Sequence, residues 1–458
     1  MTKSFWRTAA SLALPIALQN LLTSCASLID TAMITSLGNT AVAAVGVAGR
    51  FTFFLNVTAF GFSSGAATLI SQYWGAGDKK GIRRAFGVAM TACMIFALLS
   101  TMLLFFAPGF CISLFGPEPD VAEAAVQYLR ILALAVPLLM FSQVGCAALR
   151  ATESVRIPLL ASCLGVGVNL ALNYCLIYGH FGFPEMGIRG AAIATFCSLT
   201  VQAAVALFAI LFGRGVLRAP VREYFSYTRA FVMKYARTAT PVLFNESAWA
   251  IGTNIYAMVL ARQGTEAYAG YILFDTIQQL TFVFFVGICH ACAILVGKSV
   301  GSGNREDAYR IALRFLIMTP SAGVVLGFFM ALLRNPILSL YPIETEGSRA
   351  MASALLLFYS CWLCMRMIPY TSICGIFRAG GDTRIGCIYD VGILYGFGIP
   401  LVCLAGLVWK IPFLWIVMLM FAAEDIPKSF LCIRHFLSRK WIIRLTEDTA
   451  AQPEKENP

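Results

Sequence analysis

The sequence predicts an all-α polytopic membrane protein with twelve transmembrane helices in two parallel six-helix repeats, and three observations carry this prediction. First, 59% of the 458 residues are hydrophobic and only 12% are charged, whereas soluble domains contain about 25% charged residues. Second, the hydrophobic residues form long blocks without the period-two alternation of a membrane barrel, which indicates helices. Third, the two halves of the chain share residues at a nearly constant spacing.

Twelve apolar blocks follow one another along the chain, each long enough for a helix to cross a bilayer. The blocks cover residues 9–37, 41–74, 85–115, 121–149, 157–179, 187–213, 231–261, 265–297, 308–333, 347–377, 385–409 and 411–437. A longer polar connection separates the sixth block from the seventh. We therefore predict an N-lobe at 1–212, a cytoplasmic linker at 213–230, a C-lobe at 231–437 and a cytoplasmic tail at 438–458.

The basic residues set the predicted orientation. A net charge of +11 could indicate a nucleic-acid partner, but the Lys and Arg residues concentrate in alternate connections between the apolar blocks. This pattern follows the positive-inside rule, so we predict a bacterial inner-membrane protein with both termini cytoplasmic and no nucleic-acid partner. The predicted inner segments contain Lys79, Lys80, Arg83, Arg84, Arg150, Arg156, the basic residues of 214–237, Lys298, Arg305, Arg310, Arg378, Arg384 and a basic tail from Lys428 to Arg444.

An internal repeat relates the two halves. Pairs 226 positions apart are Pro15 with Pro241, Gly38 with Gly264, Gly75 with Gly301, Gly77 with Gly303 and Arg84 with Arg310, and pairs 228 apart are Arg150 with Arg378 and Arg156 with Arg384. Six helices return the chain to the same side of the membrane, so the repeats are parallel and related by an axis along the membrane normal. A cleft between two such bundles is the expected place for a transported substrate.

Neither a metal centre nor an enzyme active site is expected. Two cysteine pairs, Cys361 with Cys364 and Cys289 with Cys292, have metal-like spacings, but both lie inside predicted spanning helices. The chain has three His residues. No HExxH, GxSxG or paired-Asp motif stands in a predicted helix, so we expect no enzymatic activity and no cofactor.

The first block carries two residues that are unusual in a membrane span. Pro15 removes a backbone hydrogen bond and supplies a hinge if it lies inside the helix; the alternative is a proline at the helix start. Asp30 follows roughly 22 Å along the helix axis, within the hydrocarbon layer. A carboxylate at that depth costs on the order of 2.5–3.5 kcal/mol, which predicts a functional role. The alternative is that Asp30 caps the outer helix end.

Several segments together form a recognisable pattern. They are Pro15 followed by Asp30-Thr-Ala-Met, LISQYWGAG at 69–77, VNLALNYCLIYG at 168–179, GAAIAT at 190–195 and RAGGDTR at 378–384. This combination resembles the MATE family of multidrug and toxic compound extrusion transporters, bacterial type, and is intermediate between the NorM-type and DinF-type patterns. The resemblance implies a twelve-helix antiporter with N- and C-lobes in a V, which exports organic compounds against an inward Na⁺ or H⁺ gradient.

The resemblance implies a coupling-ion site in the N-lobe on Asp30, Asn169 and Asn173. The two Asn residues are four apart and share one face of the fifth predicted helix. Carboxylate and amide oxygens suit Na⁺, and a lone carboxylate in a dry site also accepts a proton. We add Thr195 of the sixth helix as a further candidate ligand. The alternative for the Asn pair is hydrogen bonding between helices.

The chain departs from the family pattern in two places. Many DinF-type members have an acid where this chain has Asn173, so a two-carboxylate proton site is not expected here. NorM-type members have an acid in helix 10, whereas the corresponding stretch 365–369 reads MRMIP. Asp382 belongs to the inner GGDTR turn, where we expect a structural role.

The C-lobe supplies the candidate substrate contacts. Glu246 of the seventh block is predicted to face the cleft, and the alternative is an ion pair with Arg366. Asp275 and Gln278 of the eighth block are three apart and share a helix face, so they are candidates for contacting a cationic substrate. Asp275 could equally be a solvated residue near the outer helix end.

The expected function is cation-coupled antiport, driven by Na⁺ or H⁺. A monomer in the lipid bilayer would export amphipathic, cationic organic compounds or drugs, with no cofactor other than the coupling ion. The alternative is a flippase for lipid-linked precursors, from a related superfamily with the same twin-bundle plan, which a strongly basic cleft would favour. A channel fits the two-lobe repeat less well.

Overall fold

Helices make up nearly all of the computed structural model, which describes residues 2–341 and 345–446. Twelve long helices follow the predicted blocks: α1 Thr2–Thr35, α2 Asn39–Gly75, α3 Lys79–Phe106, α4 Pro119–Ala151, α5 Arg156–Tyr178, α6 Ile188–Phe212, α7 Arg229–Ala261, α8 Thr265–Gly301, α9 Arg305–Ser339, α10 Glu346–Gly380, α11 Thr383–Val408 and α12 Phe413–Leu437. Of the predicted tail, residues 447–458 lie outside the described residues.

Ten of these helices are apolar and long enough to cross a membrane; α7 and α12 are not among the ten. α12 carries Glu424, Asp425 and Lys428 within its length, and α7 carries Glu246. The predicted block 85–115 forms two helices instead of one. α3 ends at Phe106, and a short helix, Pro108–Ser113, follows it. Pro108 has no backbone N–H, so it begins the new helix and cannot continue the old one.

One hydrophobic core lies mainly in the first half and also includes Tyr235 and Ala239 of α7, and another lies in the second half. One core consists of buried side chains between Ile34 and Ala239, and the second of buried side chains between Tyr256 and Phe421. The halves meet where α1 packs against α8 and α2 packs against α7 and α8. Since α7 and α8 are the repeat equivalents of α1 and α2, the interface obeys the same pseudo-two-fold relation as the sequence.

The closest approach of the halves lies at the end of the bundle that carries Phe5 and Trp441, which we call the terminal end. A Cβ added at Gly75 of α2 would lie 1.8 Å from the Lys298 carbonyl oxygen of α8, and one at Gly301 would lie 1.8 Å from the Gln72 carbonyl oxygen. Only glycine permits this reciprocal crossing. The repeat pair Gly75 and Gly301 thus marks the contact between the halves.

Polar contacts reinforce the closure of the terminal end. The Gln72 side chain donates to the Ala379 carbonyl at 2.9 Å and accepts from the Leu445 N–H at 2.8 Å. Lys298 of the second half forms an ion pair with Glu153 of the first half at 2.8 Å. The chain after α12 therefore lies between the halves and helps to seal the cleft at this end.

Pro15 lies well inside α1, which begins at Thr2. The helix-start alternative for this proline is therefore wrong. Because a proline in a helix interior leaves one carbonyl without its intrahelical donor, Pro15 is a place where α1 bends at low cost.

Candidate functional site

The first site of interest joins α1 to α5. The Asn173 Nδ2 atom donates to Asp30 Oδ1 at 2.5 Å. With its amide turned to satisfy both of its polar atoms, Asn169 donates to the two Asp30 carboxylate oxygens at 2.8 and 3.2 Å. The structure thus brings together the three predicted residues Asp30, Asn169 and Asn173, which we call the N-lobe site.

The hydrogen-bond partners of Asp30 exclude the alternative that this residue caps the outer end of α1. Asp30 accepts hydrogen bonds from α5 and does not act as a cap for α1, which continues to Thr35. The Asn173 Oδ1 atom is buried and has no hydrogen-bond partner within residues 2–341 and 345–446, so this site contains an unused acceptor beside the carboxylate. Such oxygen atoms are the ligands that hard cations prefer.

Thr195 is not joined to the N-lobe site. Its hydroxyl donates to the Ala191 carbonyl, one turn earlier in α6, at 3.0 Å. This bond satisfies the hydroxyl within its own helix, as is common for Thr in apolar helices. In the described part of the chain, the Thr195 hydroxyl is thus bonded within α6 and not to Asp30.

A second feature is a cavity of about 300 Å³ between the two halves. Pockets of roughly this size and larger bind drug-sized molecules. The first half contributes mainly α2 and α4 to the wall, and the second half contributes α7, α8, α10, α11 and α12. The charged lining residues are Arg150, Arg366, Arg378, Lys428, Glu246, Asp390, Glu424 and Asp425. Aromatic lining residues include Phe60, Trp249, Phe282 and Tyr370.

Glu246 lines this cavity, as predicted, but its partner differs from the one we considered. Arg378 Nη2 lies 2.6 Å from Glu246 Oε1, whereas Arg366 pairs with Asp425 at 3.4 Å. Arg150 and Arg378, which the sequence placed in inner segments, lie at helix ends and reach the cavity. The alternative of a Glu246–Arg366 ion pair is therefore wrong.

Helix α12 carries the part of the cavity wall that the sequence analysis missed. Lys428 Nζ lies 2.7 Å from Asp390 of α11 and 2.7 Å from Glu424 of its own helix. Lys428 is only 4% exposed, so its assignment to a basic tail is wrong. Trp362 donates to Asp425 at 2.8 Å. The available signal was Glu424 and Lys428, four residues apart within an apolar block.

The charges of the second half form three neighbouring ion-pair groups in one wall of the cavity. Four carboxylates, Glu246, Asp390, Glu424 and Asp425, face three cations, Arg366, Arg378 and Lys428. Each carboxylate contacts a basic side chain, and Lys428 is shared by two of them. Because loss of one partner of a buried ion pair leaves an uncompensated charge, these residues depend on one another for stability.

Asp275 and Gln278 are not part of the cavity wall. Asp275 accepts a hydrogen bond from Gln279, four residues later on α8, at 2.7 Å. Asp275 and Gln278 lie three residues apart on α8, as predicted, but neither is among the described residues that line the cavity. Asp382 has the structural role expected of it, because it caps α11 through the Ile385 N–H and pairs with His435.

A family model described as MatE matches residues 15–175 and 241–404. A probable multidrug resistance protein NorM of Thermotoga maritima is 27% identical over 449 residues, covering 94% of this chain and 92% of the relative. A probable multidrug resistance protein, YoeA, of Bacillus subtilis is 24% identical and covers 87% of this chain and 86% of the relative.

Solved structures match the fold. A MATE crystallised in the straight conformation superposes with a TM-score of 0.86 at 19% identity, covering 94% of this chain and 96% of that chain. The outward-facing conformation of a multidrug resistance MATE family transporter gives a TM-score of 0.85 at 18% identity, with coverage of 94% and 96%. These likenesses confirm the predicted all-α fold with twelve long helices, ten of which are apolar and long enough to cross a membrane.

Proposed function

The chain belongs to the MATE family, and we propose that it is a cation-coupled antiporter that exports amphipathic organic compounds by alternating access. The observation that carries the proposal is the separation of two sites in one fold. A carboxylate with two amide groups lies within the first half, and a drug-sized cavity lies between the halves. An antiporter needs one place for the driving ion and another for the exported molecule.

We assign the N-lobe site to the driving ion. Asp30 supplies one negative charge, which balances one Na⁺ or binds one H⁺ but does not balance a divalent ion. The amide groups of Asn169 and Asn173 favour Na⁺, because rotation of either group directs its oxygen toward the cation, whereas these oxygens gain nothing from a proton on Asp30. The proposed driving ion is therefore Na⁺, with H⁺ as the competing ion at the same carboxylate.

Alternating access requires that the closed end of the cleft opens. The contacts between the halves at the terminal end, including Lys298 with Glu153 and the glycine crossing, must separate for the cavity to reach that side. Bending of α1 at Pro15 would couple the N-lobe site to this movement, because Asp30 lies on the same helix. We infer from the basic connections at this end that the terminal end faces the cytoplasm and that the protein lies in a bacterial inner membrane.

The cavity supports an amphipathic substrate with a cationic group. Its wall combines aromatic faces, which attract cations, with carboxylates that outnumber the cations of the second half by one. A flippase for lipid-linked anions would favour a strongly basic cleft. The described lining instead contains four basic and four acidic side chains, so antiport of small molecules is the better account.

The proposal is tested in sealed vesicles that contain the purified protein and a fluorescent cationic rhodamine ester. Na⁺ and pH gradients are imposed separately at fixed membrane potential. We expect transport of the ester to follow an imposed Na⁺ gradient in the opposite direction. Vesicles that transport the ester under neither gradient would contradict antiport, and transport that follows the pH gradient alone at every Na⁺ concentration would overturn the choice of Na⁺.

A further inference from the structure

The internal repeat places Arg150 and Arg378 at equivalent positions, yet their partners differ. Arg378 pairs with Glu246 of α7 at 2.6 Å. In the first half, the α1 position that answers to Glu246 at the 226-residue spacing is a neutral amide, Asn20, and the residue before it, Gln19, is also an amide. Arg150 Nη1 lies 3.4 Å from Gln19 Oε1. The repeat therefore preserves the arginine but replaces its carboxylate partner by a neutral amide.

Arg150 is consequently the one cation of the cavity wall without an ion-pair partner among the described residues. It is half-buried near the end of α4 and faces the cavity. A single long hydrogen bond to an amide does not compensate a guanidinium removed from water. The guanidinium has a rigid fork of donors that fits carboxylate and phosphate oxygens in pairs.

The cavity wall opposite Arg150, which the second half provides, has an excess of negative charge. Its four carboxylates face three cations, so the second half carries one negative charge in excess while Arg150 supplies one positive charge from the first half. The cavity is therefore neutral in sum but polarised across its width. An amphipathic ligand matches this distribution if it carries one acidic and one basic group, separated by an apolar body.

We propose that Arg150 binds the acidic group of the transported compound, and that the protein therefore prefers zwitterionic amphiphiles to purely cationic ones. This inference rests on the proposed function, because it assigns the substrate class of the same cavity. The sequence feature that accompanies this binding role of Arg150 is the pair of neutral amides in α1, Gln19 and Asn20. A glutamate at position 19 would supply the counter-ion that Glu246 supplies to Arg378.

Two rhodamines test the proposal, a zwitterion with a free carboxylate and its cationic methyl ester. Binding of each to the purified full-length protein in detergent is measured by fluorescence anisotropy. We expect Arg150→Gln to weaken binding of the zwitterion by about tenfold or more, since a paired charge-assisted contact is lost. Binding of the ester should be unchanged. Arg130→Gln, at an exposed position of the same helix that does not line the cavity, is the matched control.

Gln19→Glu is the second variant, and it keeps Arg150 in place. The new carboxylate should pair with the guanidinium and reduce binding of the zwitterion as Arg150→Gln does, again without weakening the ester. Equal loss of both ligands in the two variants, or no loss of the zwitterion in either, would overturn the assignment. Transport of the ester under ion gradients tests antiport separately, so failure of that experiment and failure of this one are distinguishable.

Discussion

Among the described residues, the hydrogen-bond partners of Asp30 in the first half are all amide groups, whereas each cavity-lining carboxylate in the second half contacts a basic side chain. The two environments belong to repeats with the same helix plan. A carboxylate bound to a fixed cation is already neutralised and holds the helices together. A carboxylate among neutral amides retains a charge that a mobile cation can balance. The helix plan is therefore repeated in the two halves, while the partners of their buried carboxylates differ.

The largest effect on ion-driven export is expected from a change at Asp30, the carboxylate that distinguishes the first half from the second. Asp30→Asn keeps the size of the side chain and its hydrogen bonding but removes the charge, so we expect ion-driven export to fall to background while the protein still inserts. Efflux of the rhodamine ester from vesicles, at matched protein content, measures the effect. Asp275→Asn, an acid-to-amide change outside the cavity wall, should retain export. Efflux close to wild type in Asp30→Asn would disprove the N-lobe site.

A change at Lys428 should affect folding more directly than ion coupling. Lys428→Met leaves Asp390 and Glu424 buried without their common cation, and breaking buried pairs costs about 3–5 kcal/mol. We expect a clearly lower unfolding temperature in detergent, and Lys440→Met, at an exposed position, serves as the control. Adding Glu424→Gln to Lys428→Met should recover part of the loss. Unchanged thermal stability of Lys428→Met would show that the wall is not a structural network.

A change at Pro15 tests whether bending of α1 couples the N-lobe site to the opening of the cleft. Pro15→Ala restores a backbone donor within α1 and stiffens it, so the transport rate should fall several-fold while binding of the ester stays constant. The rate is measured at saturating ester and matched expression. Pro320→Ala, in the interior of α9, controls for loss of a helix proline elsewhere. A rate equal to wild type would remove the hinge from the mechanism.

The smallest expected change concerns the choice of ion. Asn173→Asp adds a second carboxylate next to Asp30, and the added charge should lower the Na⁺ concentration needed for half-maximal efflux. The same variant should also respond more strongly to pH, because two close carboxylates share a proton more readily than one. Titration of efflux rate with Na⁺ at several pH values separates these effects. A Na⁺ requirement that weakens in the variant would argue against direct ligation.

Much of the architecture was determined by the sequence alone. Apolar blocks of spanning length specify helices, because a bilayer leaves no other partner for backbone polar groups. The repeat pairs such as Gly75 and Gly301 indicated two equivalent halves before the structure showed their reciprocal contact. The grouping of Asp30 with Asn169 and Asn173 was also predictable, since each is a costly polar residue within an apolar block and the family resemblance aligns all three.

Only the tertiary structure decided which charges meet. Helical periodicity shows that Asp275 and Gln278 share a helix face, but it does not show in which direction that face points. In the described structure, neither residue lines the cavity. The same limit explains why Glu246 pairs with Arg378 and not with Arg366, and why Lys428 is buried between α11 and α12. The rotation of each helix about its axis depends on packing against several neighbours distant in sequence. Spacing along one helix contains no information on that rotation.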